Sequence, residues 1–265
     1  MTDSAAADNV ATDNVAADDV AIVTGASSGI GAATVRRLLA RGYRVAAVAR
    51  RAERLDALAD EARAGSGVVL PIAADLTDAD QARGAVAQTV AELGGLSVLV
   101  NNAGIMLLGP FDTSPSSDWR RMLDLNVLSL LTMSQEAIPH LRKAAAGARG
   151  IADIINVGSV AGRVARPNFA VYNASKWAVT AFTEALRQEL APDGVRVSVV
   201  QPGAVDTELM DHVDPAFRER LESSSIGSMR RLTADDVADT IDYLAALPSA
   251  VAVNEAVVRF ARQPF

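Results

Sequence analysis

The feature that most constrains the fold is a repeated alternation of short apolar runs with longer helical patterns. Runs rich in Val, Ile and Ala predict buried strands near residues 20–24, 44–49, 68–74, 97–101, 151–158, 195–201 and 252–258. Helical patterns lie between them near residues 29–42, 52–64, 78–93, 118–144, 171–191 and 233–247. Strands that alternate with helices are typical of a parallel sheet with helices on both faces. The sequence therefore predicts one α/β domain built on a doubly wound, seven-stranded parallel sheet.

Length and composition set the limits of this domain. A chain of 265 residues suffices for one sizeable α/β domain and is short for two. Residues 1–18 carry only acidic charge and a pentad repeat, so we expect a disordered tail before a domain of residues 19–265. Residues 204–231 fit neither a strand nor an unbroken helix, and a connection of this length is uncommon unless it has a function.

A glycine-rich turn joins the first strand to the first helix. Gly25 suits a tight turn out of the strand, Gly29 would let backbone amides approach a pyrophosphate, and Gly31 would let the helix pack close to the sheet. The helix N-terminus adds a partial positive charge. The spacing Gly-x-x-x-Gly-x-Gly differs from the commonest dinucleotide fingerprint. It also lacks the Lys-Ser/Thr ending of an ATP-binding loop, which argues against a kinase or ATPase.

The end of the second strand bears on which dinucleotide would bind. Proteins that bind NAD usually place Asp or Glu there to accept from the adenosine ribose 2′-hydroxyl. This chain has Arg50 and Arg51 instead, and guanidinium groups suit a 2′-phosphate by charge and geometry. We predict NADP(H), with NAD(H) as the less favoured cofactor. The alternative is that both arginines only cap and solubilise the start of a helix.

Tyr172 and Lys176 stand four residues apart and share one helix face. A neighbouring ammonium favours the phenolate, so we expect Lys176 to lower the pKa of Tyr172 towards neutral pH. Ser159 follows a predicted buried strand, where open α/β sheets place ligand-binding groups. The three side chains indicate proton transfer to or from a carbonyl or alcohol oxygen. On its own the Tyr–Lys pair is also compatible with an ordinary surface helix.

Composition excludes several other kinds of chemistry. The chain has no Cys, which rules out disulfides and thiolate metal sites, and its only two His residues, far apart in the sequence, argue against a catalytic zinc. His212, in the long connection, is a candidate for substrate contact. A net charge of −7 disfavours nucleic acid and anionic membranes as partners. No apolar run is long enough to span a bilayer, so we expect a soluble cytoplasmic protein acting on a small molecule.

With these pieces in place, the chain resembles the single-domain branch of the short-chain dehydrogenase/reductase family. The resemblance extends from Val20 to the C-terminus. It rests on residues 24–31 (Thr-Gly-Ala-Ser-Ser-Gly-Ile-Gly), 101–104 (Asn-Asn-Ala-Gly), Asn126, Ser159, Tyr172, Lys176, Pro202 and Gly203. It implies a Rossmann fold with strand order 3-2-1-4-5-6-7. It also implies that residues 204–231 form a mobile loop over the substrate.

The resemblance assigns roles to individual positions. The implied catalytic residues are Asn126, Ser159, Tyr172 and Lys176, with Tyr172 as general acid or base and Asn126 holding a water linked to Lys176. Asp75 is the residue expected to hold the adenine amino group. The implied cofactor-binding residues are Gly25, Ser27, Ser28, Gly29, Ile30, Gly31, Arg50, Arg51, Asp75, Leu76, Asn102, Ala103, Gly104, Tyr172, Lys176, Pro202, Gly203, Val205 and Thr207.

The substrate pocket is expected to be mostly small and apolar, with Arg163, Arg166 and Asn168 able to meet a carboxylate. Its expected walls are Ile105, Met106, Leu107, Val160, Ala161, Gly162, Ala204, Val205, Leu209 and Met210. Residues 102–110, Trp119 and residues 253–259 are similar to the subgroup containing clavulanaldehyde reductases and NADP-dependent 3-hydroxy acid dehydrogenases. We therefore predict an NADPH-dependent carbonyl reductase or alcohol dehydrogenase. The alternatives are a 3-hydroxy acid dehydrogenase and a non-catalytic NADP(H)-sensing protein.

Apolar positions on the helix of Tyr172 point to an assembly. The helix has more apolar positions than an active-site face requires, namely Trp177, Val179, Phe182 and Leu186. Exposed apolar helix faces often form interfaces. Members of the family usually pair this helix with that of another subunit, so we expect a homodimer or homotetramer. Simple core packing is the alternative.

Overall fold

The predicted strands form one parallel sheet in a computed structural model that describes residues 19–223 and 231–263. The strands are β1 (Val20–Thr24), β2 (Arg44–Ala49), β3 (Val69–Ala73), β4 (Val98–Asn101), β5 (Ala152–Val157), β6 (Val195–Pro202) and β7 (Glu255–Val258). Their order across the sheet is β3-β2-β1-β4-β5-β6-β7, as the resemblance implied. The predicted N-terminal tail, residues 1–18, lies outside the described residues, as do residues 224–230 of the long connection.

Helices connect successive strands on both faces of the sheet. They are α1 (Gly29–Ala40), α2 (Ala52–Ala64), α3 (Ala79–Leu93), α4 (Ser116–Leu123), α5 (Ser129–Ala145), α6 (Ala170–Leu190), α7 (Pro215–Glu222) and α8 (Ala234–Ala246). The helix predicted over 118–144 corresponds to α4 and α5, which are joined by a π-helical segment, Asp124–Leu128. In the part of the chain that the structure describes, no helix is both long and apolar enough to cross a membrane.

Side chains of the central strands alternate between two apolar layers. Ile22 and Leu99 face one layer, which includes Met133 of α5, whereas Val23 faces the other, which includes Ile241 of α8. All five side chains are fully buried. Burying a side chain of this size contributes roughly 1.5–3 kcal/mol, so the two layers hold the sheet from both sides.

The last strand begins later than predicted, at Glu255 rather than near residue 252. Two carbonyl groups shortly before it accept from side chains of β6 rather than from its backbone, whereas Asn254 O accepts from the Val199 amide at 3.0 Å. Arg196 donates to Val251 O at 2.8 Å, and the Ser198 hydroxyl donates to Val253 O at 2.7 Å. These side-chain bonds replace the first part of the expected β6–β7 ladder.

The amino-terminal edge of the sheet is closed by buried charges. Asp153 of β5 accepts from Arg196 at 2.7 Å and from Arg149 at 2.8 Å, and all three side chains are at most 6% exposed. Arg196 also donates to the carbonyls of Leu247 and Pro248 after α8. Asp153 therefore pairs with two guanidinium groups, and Asp19, 3.7 Å from Arg149, adds a second buried carboxylate. The cluster ties β5 and β6 to the end of α8.

We predict that Asp153→Ala lowers the free energy of unfolding by about 3–5 kcal/mol, because it leaves the buried Arg196 guanidinium without its carboxylate and leaves Arg149 with only the more distant Asp19. Urea unfolding measures the change. Asp60→Ala is the control, since Asp60 pairs with Arg63 on the exposed face of α2 and its loss is expected to change stability by no more than about 0.5 kcal/mol. Equal small losses in both variants would contradict the prediction.

Candidate active site

A cleft of about 410 Å³ opens at the carboxyl edge of the sheet, where the strands end. It brings together all the predicted site residues except Gly31 and Asn126, which lie behind its wall. The predicted residues that line it are Gly25, Ser27, Ser28, Gly29, Ile30, Arg50, Arg51, Asp75, Leu76, Asn102, Ala103, Gly104, Ser159, Tyr172, Lys176, Pro202, Gly203, Val205 and Thr207. The topology therefore places the phosphate-loop and proton-transfer groups in one cavity.

The turn after β1 has the geometry of a phosphate cradle. Gly25 and Gly29 adopt φ values of +66° and +52°, which L-residues with a side chain rarely adopt. A Cβ on Gly31 would lie 2.3 Å from the carbonyl oxygen of Gly25, so only glycine permits this approach of α1 to the turn. The first amides of α1 have no partner within the helix and are available to a bound phosphate.

The segment after β4 is hydrogen-bonded to the end of β1, where the phosphate-binding turn begins. The backbone amides of Asn102 and Ala103 both donate to the Thr24 hydroxyl, at 2.9 and 3.0 Å. The Asn102 side chain donates to Thr24 O at 2.8 Å. A Cβ on Gly31 would also lie only 2.7 Å from the side-chain nitrogen of Asn102. Asn102 thus positions the phosphate loop.

Arg51 lies across the open end of the same loop. Its guanidinium donates to the Ser27 hydroxyl at 2.8 and 3.0 Å and to the Ser28 hydroxyl at 2.7 Å. Arg50 is exposed, and among the described residues its guanidinium has no hydrogen bond or ion pair. A glycine cradle with two guanidinium groups at its end fits the pyrophosphate and 2′-phosphate of NADP(H).

Asp75 is held rigidly beside this end of the cleft. Its carboxylate accepts from the backbone amide of Thr77 at 3.0 Å and from the Thr77 hydroxyl at 2.8 Å, and its own amide donates to Gln81 at 2.9 Å. Leu76 is buried beside it. The predicted contact of Asp75 with an adenine amino group remains a prediction.

Lys176 is a buried residue of the cleft wall. Its ammonium donates to Val157 O, at the end of β5, at 3.0 Å and lies 5.9 Å from the centroid of the Tyr172 ring. Burial lowers the pKa of Lys176 to about 8. The α6 helix places it here because four residues make one turn, so Lys176 and Tyr172 face the same side.

The expected effect of Lys176 on Tyr172 is not what the structure shows. Burial raises the pKa of Tyr172 to about 12, and a hydrogen bond with the Ser159 side chain opposes this rise. The ammonium of Lys176 points towards Val157 O, so desolvation of the phenol outweighs its attraction for the phenolate. Ser159 is itself fixed by accepting from the Ala161 amide at 3.1 Å.

Asn126 lies in the π-helical segment, where its side chain contacts Ile105 and Ser175, the residue before Lys176. Its side-chain oxygen accepts from the Ile105 amide at 2.8 Å, and its nitrogen donates to Ile105 O at 2.9 Å and to the Ser175 hydroxyl at 3.2 Å. Asn126 therefore clamps the strand-end segment onto α6. Short π-helical segments occur frequently at functional sites. The water expected beside Asn126 remains a prediction.

The substrate side of the cleft agrees only in part with expectation. Of the predicted walls, Leu107 and Gly162 do not line it, and neither do Arg163 and Asn168. Arg163 instead pairs with Glu255 at 2.8 Å. The predicted residues that do line it are Ile105, Met106, Val160, Ala161, Arg166, Ala204, Val205, Leu209, Met210 and His212.

Several lining residues are not predicted from the sequence. They are Ala49, Ala74, Thr77, Leu125, Val157, Gly158, Val164, Phe169, Asn173, Glu208, Arg231 and Gln263. Asn173 was detectable in principle, because it adjoins Tyr172, and its side chain fixes the loop before α6 by donating to Ala161 O at 2.7 Å. Nothing in the sequence around Gln263 indicates a place in the site, because only the folding of the chain brings the C-terminal segment to the cleft.

A cleft that combines a dinucleotide cradle with a serine hydroxyl and a buried phenol and amine defines a nicotinamide-dependent oxidoreductase. The family described as short chain dehydrogenase matches residues 19–216. The chain is 34% identical to an uncharacterized oxidoreductase of Staphylococcus saprophyticus over 241 residues, 90% of this chain and 94% of that protein. It is 35% identical to serine 3-dehydrogenase of Agrobacterium fabrum over 235 residues, 88% of this chain and 90% of that protein.

A solved structure of serine dehydrogenase in its closed form, complexed with NADP+, superposes with a TM-score of 0.82. Its sequence identity is 30%, and the match covers 93% of this chain and 96% of that one. The protein therefore belongs to the short-chain dehydrogenase/reductase family of NAD(P)-dependent oxidoreductases.

We predict that Lys176→Met stabilises the protein without cofactor by about 2 kcal/mol at pH 7, although it abolishes most turnover. Below pH 8 folded and unfolded chains both hold the proton, and the folded state bears the full cost of a buried ammonium. Between pH 8 and 10.5 the folded chain has lost that proton while the unfolded chain still binds it, so wild-type stability rises with pH. The advantage of the variant shrinks over this window.

Urea unfolding at pH 7 and pH 10 measures this advantage. The control is Lys143→Met, because Lys143 is exposed on α5 and its replacement is expected to have little effect at either pH. A Lys176→Met protein that is less stable than the wild type at both pH values would show that the ammonium is not penalised by burial.

Proposed function

We propose that the protein is an NADP(H)-dependent carbonyl reductase or secondary-alcohol dehydrogenase. The observation that carries this proposal is the single cleft shared by the phosphate loop, Arg50 and Arg51 at one end and Ser159, Tyr172 and Lys176 at the other. The fold also supports it, because open α/β sheets bind ligands beyond the carboxyl ends of their strands.

The bound nicotinamide supplies the hydride chemistry. Reduction of a carbonyl leaves negative charge on its oxygen, and a donor aimed at that oxygen stabilises the charge. Tyr172 gives its phenolic proton to the oxygen in reduction and removes a proton from the alcohol in oxidation. Ser159, hydrogen-bonded to Tyr172, orients and polarises the same oxygen. Lys176 holds positive charge under the phenol ring and stabilises the phenolate once it forms.

Tyr172→Phe is expected to reduce turnover at least 100-fold, the scale of a lost general acid, and to leave NADPH binding nearly intact. Stopped-flow reduction of a ketone panel and NADPH fluorescence titration measure the two effects. Tyr243→Phe is the control, because Tyr243 is exposed on α8. An undiminished rate in Tyr172→Phe would refute the proposed proton donor and would favour a protein that only binds NADP(H).

Replacing Arg50 and Arg51 together by Ala is expected to weaken NADPH binding at least tenfold more than NADH binding, because only NADPH carries the 2′-phosphate. Fluorescence titration with each nucleotide measures the dissociation constants. Arg63→Ala, at the far end of α2 where Arg63 pairs with Asp60, is the control. Equal losses for the two nucleotides would show that the arginines do not recognise the phosphate.

A 3-hydroxy acid is the second candidate substrate. Arg166 lines the cleft on the substrate side, where it could meet a carboxylate, and burial lowers its pKa. The relative named serine 3-dehydrogenase supports the same class, since serine carries a hydroxyl at C3 and a carboxylate. Oxidation rates with 3-hydroxy acids against simple secondary alcohols of the same size separate the two candidates.

We also propose that the protein assembles as a homodimer or homotetramer through α5 and α6. Val179 and Leu186 belong to the core, so they do not support the predicted interface, but Trp177 is 49% exposed. Leu128 is 53% exposed beside an apolar groove that Phe182 lines. Sedimentation velocity measures the assembly.

The cytoplasmic location stays a prediction.

A further inference from the structure

Glu208 lies on the substrate side of the cleft, and its carboxylate reaches the end where Arg51 lies. Glu208 accepts from Arg51 at 2.7 Å and from Arg54 at 2.6 Å, so it binds two guanidinium groups at once. Arg51 also contacts Ser27 and Ser28 of the phosphate loop. An anion therefore already occupies the donors nearest to the predicted 2′-phosphate position.

The carboxylate stays charged at any physiological pH. Hydrogen bonds from Arg51 and Arg54 lower the pKa of Glu208 to about 2. All three side chains are between 42% and 47% exposed, so water screens the pairs and a competing anion can displace them. A phosphate dianion offers more charge and more acceptor oxygens than a carboxylate does.

We propose that Glu208 is a specificity-determining residue that competes with the 2′-phosphate of NADP(H) for Arg51 and Arg54. This inference rests on the proposed NADP(H) function. It also assigns Arg54, one turn along α2 from Arg51, as a further phosphate donor. A nucleotide without the 2′-phosphate has no reason to displace Glu208, so the competition lowers affinity for NADP(H) and leaves affinity for NAD(H) nearly unchanged.

Glu208 also couples the two ends of the cleft. It begins a short 3₁₀ helix, Glu208–His212, that carries Leu209 and Met210 of the substrate wall. The preceding Thr207 packs against Gly29 of the phosphate loop, 3.1 Å from where a Cβ on Gly29 would lie. Release of Glu208 by a 2′-phosphate therefore frees the segment that forms the substrate wall. By linkage, substrate and NADP(H) then alter each other's affinity by the same factor.

The test uses 2′,5′-ADP and 5′-AMP, which differ by the 2′-phosphate and lack the nicotinamide. In the full-length protein, Glu208→Gln is expected to bind 2′,5′-ADP roughly tenfold more tightly, the size expected for two exposed ion pairs, and 5′-AMP within about twofold of wild type. Isothermal titration calorimetry measures both. Asp211→Asn is the matched control, because Asp211 lies in the same 3₁₀ helix and pairs with Arg218 away from the phosphate loop.

Each outcome bears on a definite claim. Unchanged or weaker 2′,5′-ADP binding in Glu208→Gln overturns the competition, and an equal gain for 5′-AMP overturns the specificity. Arginine variants separate this inference from the function on which it rests. If the combined replacement of Arg50, Arg51 and Arg54 by Ala leaves 2′,5′-ADP binding intact, the NADP(H) assignment itself fails. If Arg51→Ala weakens it while Glu208→Gln has no effect, only the role of Glu208 fails.

Discussion

The close approach of α1 to β1 is the constraint on which the rest of the site depends. Gly31 packs so near the Gly25 carbonyl that a single methyl group would force the helix away from the sheet. Asn102, which follows the neighbouring strand β4, holds the same turn by donating to Thr24 at the end of β1. The position of the phosphate loop is therefore set by contacts between α1 and the ends of β1 and β4, and the cleft is held by the same rigid elements.

The proton-transfer groups lie in an environment that is unfavourable to charge. Burial raises the pKa of Tyr172 to about 12 and lowers that of Lys176 to about 8, so each group is driven towards its neutral form. A phenol that keeps its proton suits carbonyl reduction, in which Tyr172 is the proposed proton donor. Stability and function pull in opposite directions at Lys176, as is common where activity needs a buried polar group.

Much of the fold could be predicted because its signals are local. Apolar periodicity predicts the strands and helices, and glycine spacing with a helix behind it predicts the phosphate loop. What the sequence could not predict depends on residues far apart in the chain. Glu208 meets Arg51 across 157 positions, and Arg163 turns to Glu255 rather than into the cleft. The pKa of Tyr172 was misjudged because spacing reveals a neighbouring charge but not the depth of burial.

The two edges of the sheet carry similar ion pairs that differ in how deeply they are buried. At the amino edge Asp153 and its two arginines are buried, and the loops there are tied by side-chain bonds to backbone carbonyls. At the carboxyl edge the corresponding charged pairs, those of Glu208 with Arg51 and Arg54, are exposed and exchangeable. The same chemistry, a carboxylate between two guanidinium groups, therefore fixes one edge and can yield to a ligand at the other. Burial decides between the two outcomes, because removing a buried charge's partner is far more costly than replacing an exposed one.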